Sequence, residues 1–237
     1  VHLDNGWNTE LSVVNIKNIL KKTGFDLYTY VINWNEFKDL QKSYLKAHVV
    51  DIEALTDHAI FSIMEKTARY NNIKYILSGS SITTEGRLPQ SWVHHKGDHV
   101  NIKAIHKKFG KFKIRSYPIN NFWINLIRNK ISITKSIDIL DYLPYNKNEA
   151  KSIIQKVFKW RDYGGKHHES IFTRFYQSYI LPKKFSIDKR KSHLSNLICA
   201  NEISRKEAVT LISKPFYETE FLEKSDIDYF LKKMEFS

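Results

Sequence analysis

Apolar residues in the first half of the chain switch repeatedly between the two-residue spacing of strands and the three-to-four-residue spacing of helices. Val1 to Asp4 predicts a short strand that ends at the turn Asn5-Gly6. Thr9 is placed to cap a helix, and Glu10 in the first turn favours its dipole. Leu11, Val13, Val14, Ile16 and Leu20 follow at helical spacing. Lys21 and Lys22 occupy the last turn, and Gly24 can supply a left-handed cap. Asp26 to Ile32 is β-rich and predicts the second strand. Trp34, Phe37, Leu40 and Tyr44 predict a second helix. A third starts at Thr56-Asp57, with Ala59, Ile60, Ile63, Met64, Thr67 and Ala68 on one face. Lys74 to Ser78 predicts the next strand, ending at Gly79. Strands separated by helices imply a parallel sheet, whose ligands bind beyond the carboxyl ends of the strands. Asp4-Asn5-Gly6-Trp7 and Ser78-Gly79-Ser80-Ser81 are therefore expected on one rim.

The second half reads differently. Asn101 to Phe112 looks like a basic connection, and Phe122 to Lys130 predicts a helix. Asn146 with Glu149 resembles a capping box ahead of Ile153, Ile154, Val157 and Phe158, a helix that should stop at Gly164-Gly165. Ser204 with Glu207 is a clear capping box, its helix ending before Pro215. Ser225 with Asp228 repeats the signal weakly.

Composition narrows the class. With 237 residues, 42 % hydrophobic and 27 % charged, the chain is long enough and apolar enough to bury a core. Its single cysteine, Cys199, excludes an internal disulfide framework and a cysteine-based zinc site. Apolar runs such as Tyr75-Ile76-Leu77 fall far short of the roughly 18 residues of a membrane span. No secretory leader is visible, so the expected setting is the reducing cytoplasm. The net charge of +13 is unevenly spread: residues 1–86 carry −1, residues 87–191 carry +16 and residues 192–237 carry −2. Such a basic middle stretch attracts phosphates of a nucleotide, a nucleotide-sugar or RNA. A solvated lysine-rich surface accounts for about half of that excess.

Several stretches could carry chemistry. Ser78 to Gly86 offers backbone amides, five hydroxyls and the Glu85 carboxylate, which suits a polyphosphate and Mg²⁺. An ordinary strand-to-helix turn is the plainer explanation. Asp4 at a strand end beside Trp7 could receive a ribose or adenine, though Asn-Gly is usually just a turn. His58 could be a general base or a ligand, but a lone histidine is more often structural. His94, His95, Asp98 and His99 lack the spacing that zinc sites favour. Tyr163 to Glu169 could bind phosphate and move protons, or simply end one helix and start another. Arg174, Lys183, Lys184, Lys189 and Arg190 could neutralise a departing pyrophosphate; solvated charge explains them equally well.

Together the strings HLDNGWN, TDHAIF, YILSGSSITTEG, IKAIHKKFGK, YGGKHHESIFTRF and YILPKKFSIDKRK resemble the N-acetyl sugar amidotransferases of the PP-loop ATP pyrophosphatase superfamily. The resemblance spans most of residues 2–215. It implies an α/β fold, a Rossmann-like adenine nucleotide α-hydrolase sheet lacking its first strand, followed by a mostly helical C-terminal region. Residues 1–120 would form the partial PP-loop domain and residues 121–237 the helical region. It also implies an activity in bacterial lipopolysaccharide O-antigen or flagellar glycan biosynthesis. There, ATP adenylates the N-acetyl oxygen of a nucleotide-activated sugar, and ammonia from a partner glutaminase displaces AMP to leave an acetamidino group. The cofactors implied are ATP and Mg²⁺. Position by position, Asp4, Gly6 and Trp7 match the motif beside the adenosine. Ser78, Gly79, Thr84 and Glu85 match the motif near the phosphates, with Glu85 the Mg²⁺ contact. Lys166, His167, Arg174, Lys183, Lys184 and Arg190 match the charged C-terminal motifs; Lys166, His167 and Lys184 are expected, with Glu85, in catalysis.

One departure stands out. The superfamily's SGGxDS phosphate loop does not occur here, nor does the family's cysteine-bearing N-terminal segment. Both are expected upstream of Val1, so the function is assigned to a parent protein and this piece alone is expected to be inactive. Two other readings compete. A tRNA-modifying PP-loop ATPase fits the basic stretch, but no RNA-binding motif or sulfur-carrying cysteine pair supports it. A non-catalytic fragment that docks with a biosynthetic partner is the other. Neither a membrane nor a nucleic acid is the expected partner.

Overall fold

The computed structural model describes residues 1–81, 86, 88–120, 134–143, 146–165 and 168–236. Strand β1 (His2–Asp4) ends at Gly6, whose φ of 80° requires glycine. Helix α1 (Glu10–Thr23) begins as its sequence predicts: the Thr9 side chain accepts from Ser12 N–H, and Gly24 closes the helix at φ 71°. Strand β2 covers only Thr29–Val31, less than the β-rich stretch 26–32, and pairs in parallel with β1 in the register His2–Thr29, Leu3–Tyr30, Asp4–Val31. Helix α2 (Trp34–Lys46) is capped by Asn33, and α3 (Ala54–Tyr70) starts two residues before Thr56. Strands β3 (Tyr75–Ser78) and β4 (Lys135–Asp138) form a second two-stranded sheet. Among the described residues, then, the turns after β1 and β3 do not leave a common hydrogen-bonded sheet.

The stretch 101–112 is not a connection. It forms α4 (His99–Phe109), capped by Asp98, which accepts from Asn101 N–H at 2.9 Å. Its lysines mask the apolar spacing of Ile102, Ile105 and Phe109, and α4 packs on α2. Helix α5 (Lys147–Phe158) is capped by Asn146, which accepts from the N–H groups of Asn148 and Glu149. It stops before the expected glycines because Lys159 takes a left-handed conformation, φ 54°. The expected helix 122–130 lies outside the described residues.

The last third is helical. Helix α6 (Ile171–Phe175), a π-helical turn (Tyr176–Ile180) and α7 (Leu181–Phe185) run without a break. Helices α8 (Lys189–Cys199), α9 (Arg205–Ile212) and α10 (Glu220–Met234) follow. The Ser204–Glu207 capping box forms in full. Ser225 and Asp228 start nothing, because Thr219 caps α10 earlier and both lie inside it.

The chain divides into two compact units, each assembled from discontinuous segments where the sequence reading drew one boundary at 120/121. The first comprises Val1–Gly6, Leu27–Leu77 and Pro89–Ile137; the second, Trp7–Asp26, Ser78–Leu88 and Asp138–Ser237. Phe37, Leu40, Tyr44, Ile52, Leu55 and Ile102 fill the first core. Trp7, Phe172, Phe175, Tyr176, Leu181, Phe230 and Met234 fill the second. No described helix is long and apolar enough to cross a membrane.

Candidate functional site

In the first unit the turn that leaves β1 meets the start of α3. Asp4 Oδ1 accepts from Gly6 N–H at 2.9 Å, which tightens the turn. Asn5 Nδ2 donates to Thr56 Oγ1 at 3.4 Å. Two stretches far apart in sequence, HLDNGWN and TDHAIF, are thus brought together by Asn5 and Thr56. The first turn of α3 also carries Asp57. Lys96 Nζ reaches Asp57 Oδ2 at 3.0 Å and the buried Asp51 Oδ2 at 2.6 Å, while Asp51 Oδ2 also accepts from His94 N–H. Burial works against the Lys96 charge, but Asp57 and Asp51 outweigh it and hold its ammonium above the usual lysine range.

His58, one residue on, is 1 % exposed. Its Nδ1 lies 2.7 Å from the Lys96 carbonyl oxygen, and its Nε2 lies 3.1 Å from Asn120 N–H. A carbonyl only accepts and an amide N–H only donates. Nδ1 therefore carries the proton and Nε2 accepts, and both nitrogens are occupied. Burial holds its pKa below the usual histidine value. His58 is a neutral cross-brace rather than an open base.

Helix α2 contributes two buried carboxylates one turn apart. Asp39 Oδ2 accepts from His106 Nε2 at 2.9 Å and from the N–H groups of Lys111 and Phe112 at 2.8 and 3.0 Å. Glu36 Oε2 accepts from Ser116 and Tyr117 N–H, both at 2.9 Å. Burial tends to raise both pKa values, but these donors outweigh it and hold both carboxyls below their ordinary range. Gly110 makes the first clamp possible, since a Cβ there would sit 2.3 Å from His106 Nε2. These residues were invisible to motif reading; the only signal was two acids set among the core positions of an amphipathic helix.

The second unit holds most of the other expected residues. Trp7 is fully buried, stacked or edged against Phe172, Phe230 and Tyr229, with Lys233 Nζ 5.0 Å from its ring centre. Trp7 O accepts from Ile171 N–H, and Asn8 pairs with Ser170 in an isolated antiparallel bridge. Arg174 is held by Asp226 in a two-pronged pair, Nε to Oδ2 and Nη2 to Oδ1, both 2.7 Å. That pair raises the Arg174 pKa despite burial. Burial and the Asp226 carboxylate push the Tyr217 phenol up, and burial followed by the Arg174 charge pulls His168 down. Arg190 is engaged by Asp188, by the Lys214 carbonyl at 2.8 Å and by the Phe216 ring 4.0 Å away. Lys183 and Lys184 are exposed on α7, and their ammonium groups lie over the Tyr179 and Phe185 rings. Ser78 Oγ accepts from Ser80 N–H at 3.1 Å, and Gly79 has open space where a side chain would be. Thr84, Glu85, Lys166 and His167 lie outside the described residues.

Within the first unit the structure therefore brings Asp4 and Gly6 beside Thr56. Within the second it commits Trp7, Arg174 and Arg190 to packing and pairing and leaves Lys183 and Lys184 without an ion pair among the described residues. For a bound nucleotide, the Asp4 turn offers a second carboxylate oxygen, Oδ2, with no described partner, suited to ribose hydroxyls. Among the described residues, no group of three or more His, Cys, Asp and Glu is arranged to hold a metal ion. No curated protein and no solved structure matches the chain. Residues 169–237, the segment that runs from the start of α6 through α10 and contains the Arg174–Asp226 pair, match the family model described as LPS biosynthesis protein WbpG-like, C-terminal domain, which connects this part of the chain to lipopolysaccharide biosynthesis.

Proposed function

We propose that this chain works in an ATP-dependent, AMP-forming amidotransferase of surface-polysaccharide biosynthesis that turns the N-acetyl group of a nucleotide-activated sugar into an acetamidino group. The observation that carries the reading is the match of residues 169–237 to a lipopolysaccharide-biosynthesis domain. The chemistry comes from the resemblance of the remaining strings to N-acetyl sugar amidotransferases. An amide oxygen leaves poorly. Attack of that oxygen on the α-phosphorus of ATP releases pyrophosphate and makes the oxygen part of a good leaving group. Ammonia then adds to the carbon, AMP departs with the former amide oxygen, and a proton is lost to give the amidine. In this reading Asp4 and Gly6 hold the nucleoside, Glu85 holds Mg²⁺, which neutralises charge on the pyrophosphate, and Lys183 and Lys184 supply further positive charge. A glutaminase partner supplies the ammonia.

The test is one assay. The protein, with any coding region upstream of Val1 included, receives ATP, Mg²⁺, ammonium and a panel of nucleotide-activated N-acetyl sugars. Expected are AMP and a product whose mass shows oxygen replaced by NH. Asp4→Ala should raise KM for ATP at least tenfold while leaving the circular dichroism spectrum unchanged. Absence of both products across the panel overturns the proposal.

A further inference from the structure

Between His99 and Arg115 the chain carries Lys103, Lys107, Lys108, Lys111, Lys113 and Arg115, and no Asp or Glu. All six are exposed. None enters an ion pair among the described residues; Lys108 merely lies 5.2 Å over the neighbouring Phe109 ring. Acids do lie close by, but they serve another purpose. Asp39 and Glu36 face inward and hold the backbone N–H groups of Lys111, Phe112, Ser116 and Tyr117. The cationic segment is therefore anchored through its main chain, and its charges are left to solvent.

The placement on α4 is regular. Val100, Lys103, Ala104, Lys107 and Lys108 are exposed at helical spacing and share one face, while Ile102 is buried on the other. Two apolar side chains stand among the cations: Val100, 63 % exposed, and Phe112, 60 % exposed. The helix covers about 16 Å at 1.5 Å per residue, and the exposed Lys111, Phe112, Lys113 and Arg115 follow it closely in sequence.

We propose that this face docks onto an anionic lipid surface. Charge complementarity supports it: six unpaired cations on one acid-free segment attract a plane of negative headgroups. Five of the six are lysines, point charges suited to mobile headgroups, whereas planar recognition of a folded nucleic acid favours arginine. Val100 and Phe112 supply apolar surface able to enter the headgroup boundary. Each basic residue near such a surface strengthens binding roughly fivefold. The attraction is screened beyond about 10 Å at 0.1 M salt. Such a face contains no long apolar run and so differs from a membrane-spanning segment. The inference does not depend on the proposed enzymatic activity.

The experiment is co-sedimentation of the full chain with vesicles of phosphatidylglycerol and phosphatidylcholine, against phosphatidylcholine alone, in 0.1 M NaCl. Expected is at least tenfold stronger partitioning onto the anionic vesicles, lost at 0.5 M NaCl. Lys107→Glu with Lys108→Glu should reduce it more than tenfold, and Phe112→Ser should weaken it. A charge-matched control, Lys21→Glu with Lys22→Glu on α1, should retain most of it. Equal partitioning onto both vesicles, or equal loss in the control, overturns the proposal. So does tighter binding of a single-stranded RNA homopolymer through the same lysines, which would assign the face to nucleic acid.

Discussion

At the scale of single residues, three buried titratable groups make the first unit sensitive to acid. His58 is held neutral between an acceptor and a donor, and its pKa lies below the usual histidine value. The unfolded chain therefore binds a proton near pH 6.5 that the folded chain refuses, and His58's contribution is complete above that pH and is lost progressively below it. Glu36 and Asp39 have carboxyls lowered by backbone donors. Their contribution is complete above the unfolded carboxylate range and is lost as pH falls through the lowered folded values. Urea unfolding as a function of pH should accordingly show a first decline below about pH 6.5 and a steeper one at more acid pH. His58→Gln should weaken the first decline, leaving the part that comes from His168, and should leave the second. The sequence favours a structural role for His58 over that of a base, but nothing local reveals that the main chain at Lys96 and Asn120, far along the sequence, occupies both its nitrogens.

At the scale of elements, caps were the most legible feature. Thr9, Asn146 and the Ser204–Glu207 box cap the helices that follow them and Gly24 closes the helix before it, because a cap depends on three or four neighbouring residues. Helix α4 was misread since its charges, not its apolar spacing, dominated the stretch. The π-helical turn carries a signal that a search for three-to-four-residue spacing overlooks. The buried pair Phe175 and Tyr176 is followed by Ile180 and Leu181, five residues on rather than four. A regular α-helix cannot keep both pairs on one face, and Pro182 also disfavours regular bonding to the preceding turn. Deleting Gln177 restores the four-residue interval but returns the proline clash, a cost of about 3 kcal/mol. The deletion should therefore lower thermal stability, and adding Pro182→Ala should recover most of the loss; a deletion that proline replacement cannot rescue contradicts this account. The Arg174–Asp226 pair makes a second prediction for these helices. Arg174→Ala leaves a carboxylate with 3 % of its side chain exposed and no counter-charge, at a cost of about 3–5 kcal/mol in denaturant unfolding. Arg174→Met with Asp226→Leu should cost much less, since neither buried charge remains.

At the scale of the whole molecule, the charge distribution read from the sequence has a structural counterpart in the α4 face. The expected active-site constellation was legible only as separate strings. Periodicity could place Asp4 at the end of a strand and Thr56 at the start of a helix. It could not show that Asn5 reaches Thr56, because that contact spans 51 positions and depends on how β1 and α3 pack. Nor could it show that Arg174 and Arg190, which look like free cations in sequence, are consumed by Asp226 and Asp188.

The lipopolysaccharide-type segment begins at residue 169, yet the indole that fills its aromatic cluster comes from residue 7, and Ile171 is tethered to the Trp7 carbonyl. An excised 169–237 peptide would fold around a missing ring, a void of the kind that costs about 3–5 kcal/mol. The segment that carries the family signature is thus thermodynamically borrowed from the opposite end of the chain, and truncation at the signature's border removes a piece of its own interior.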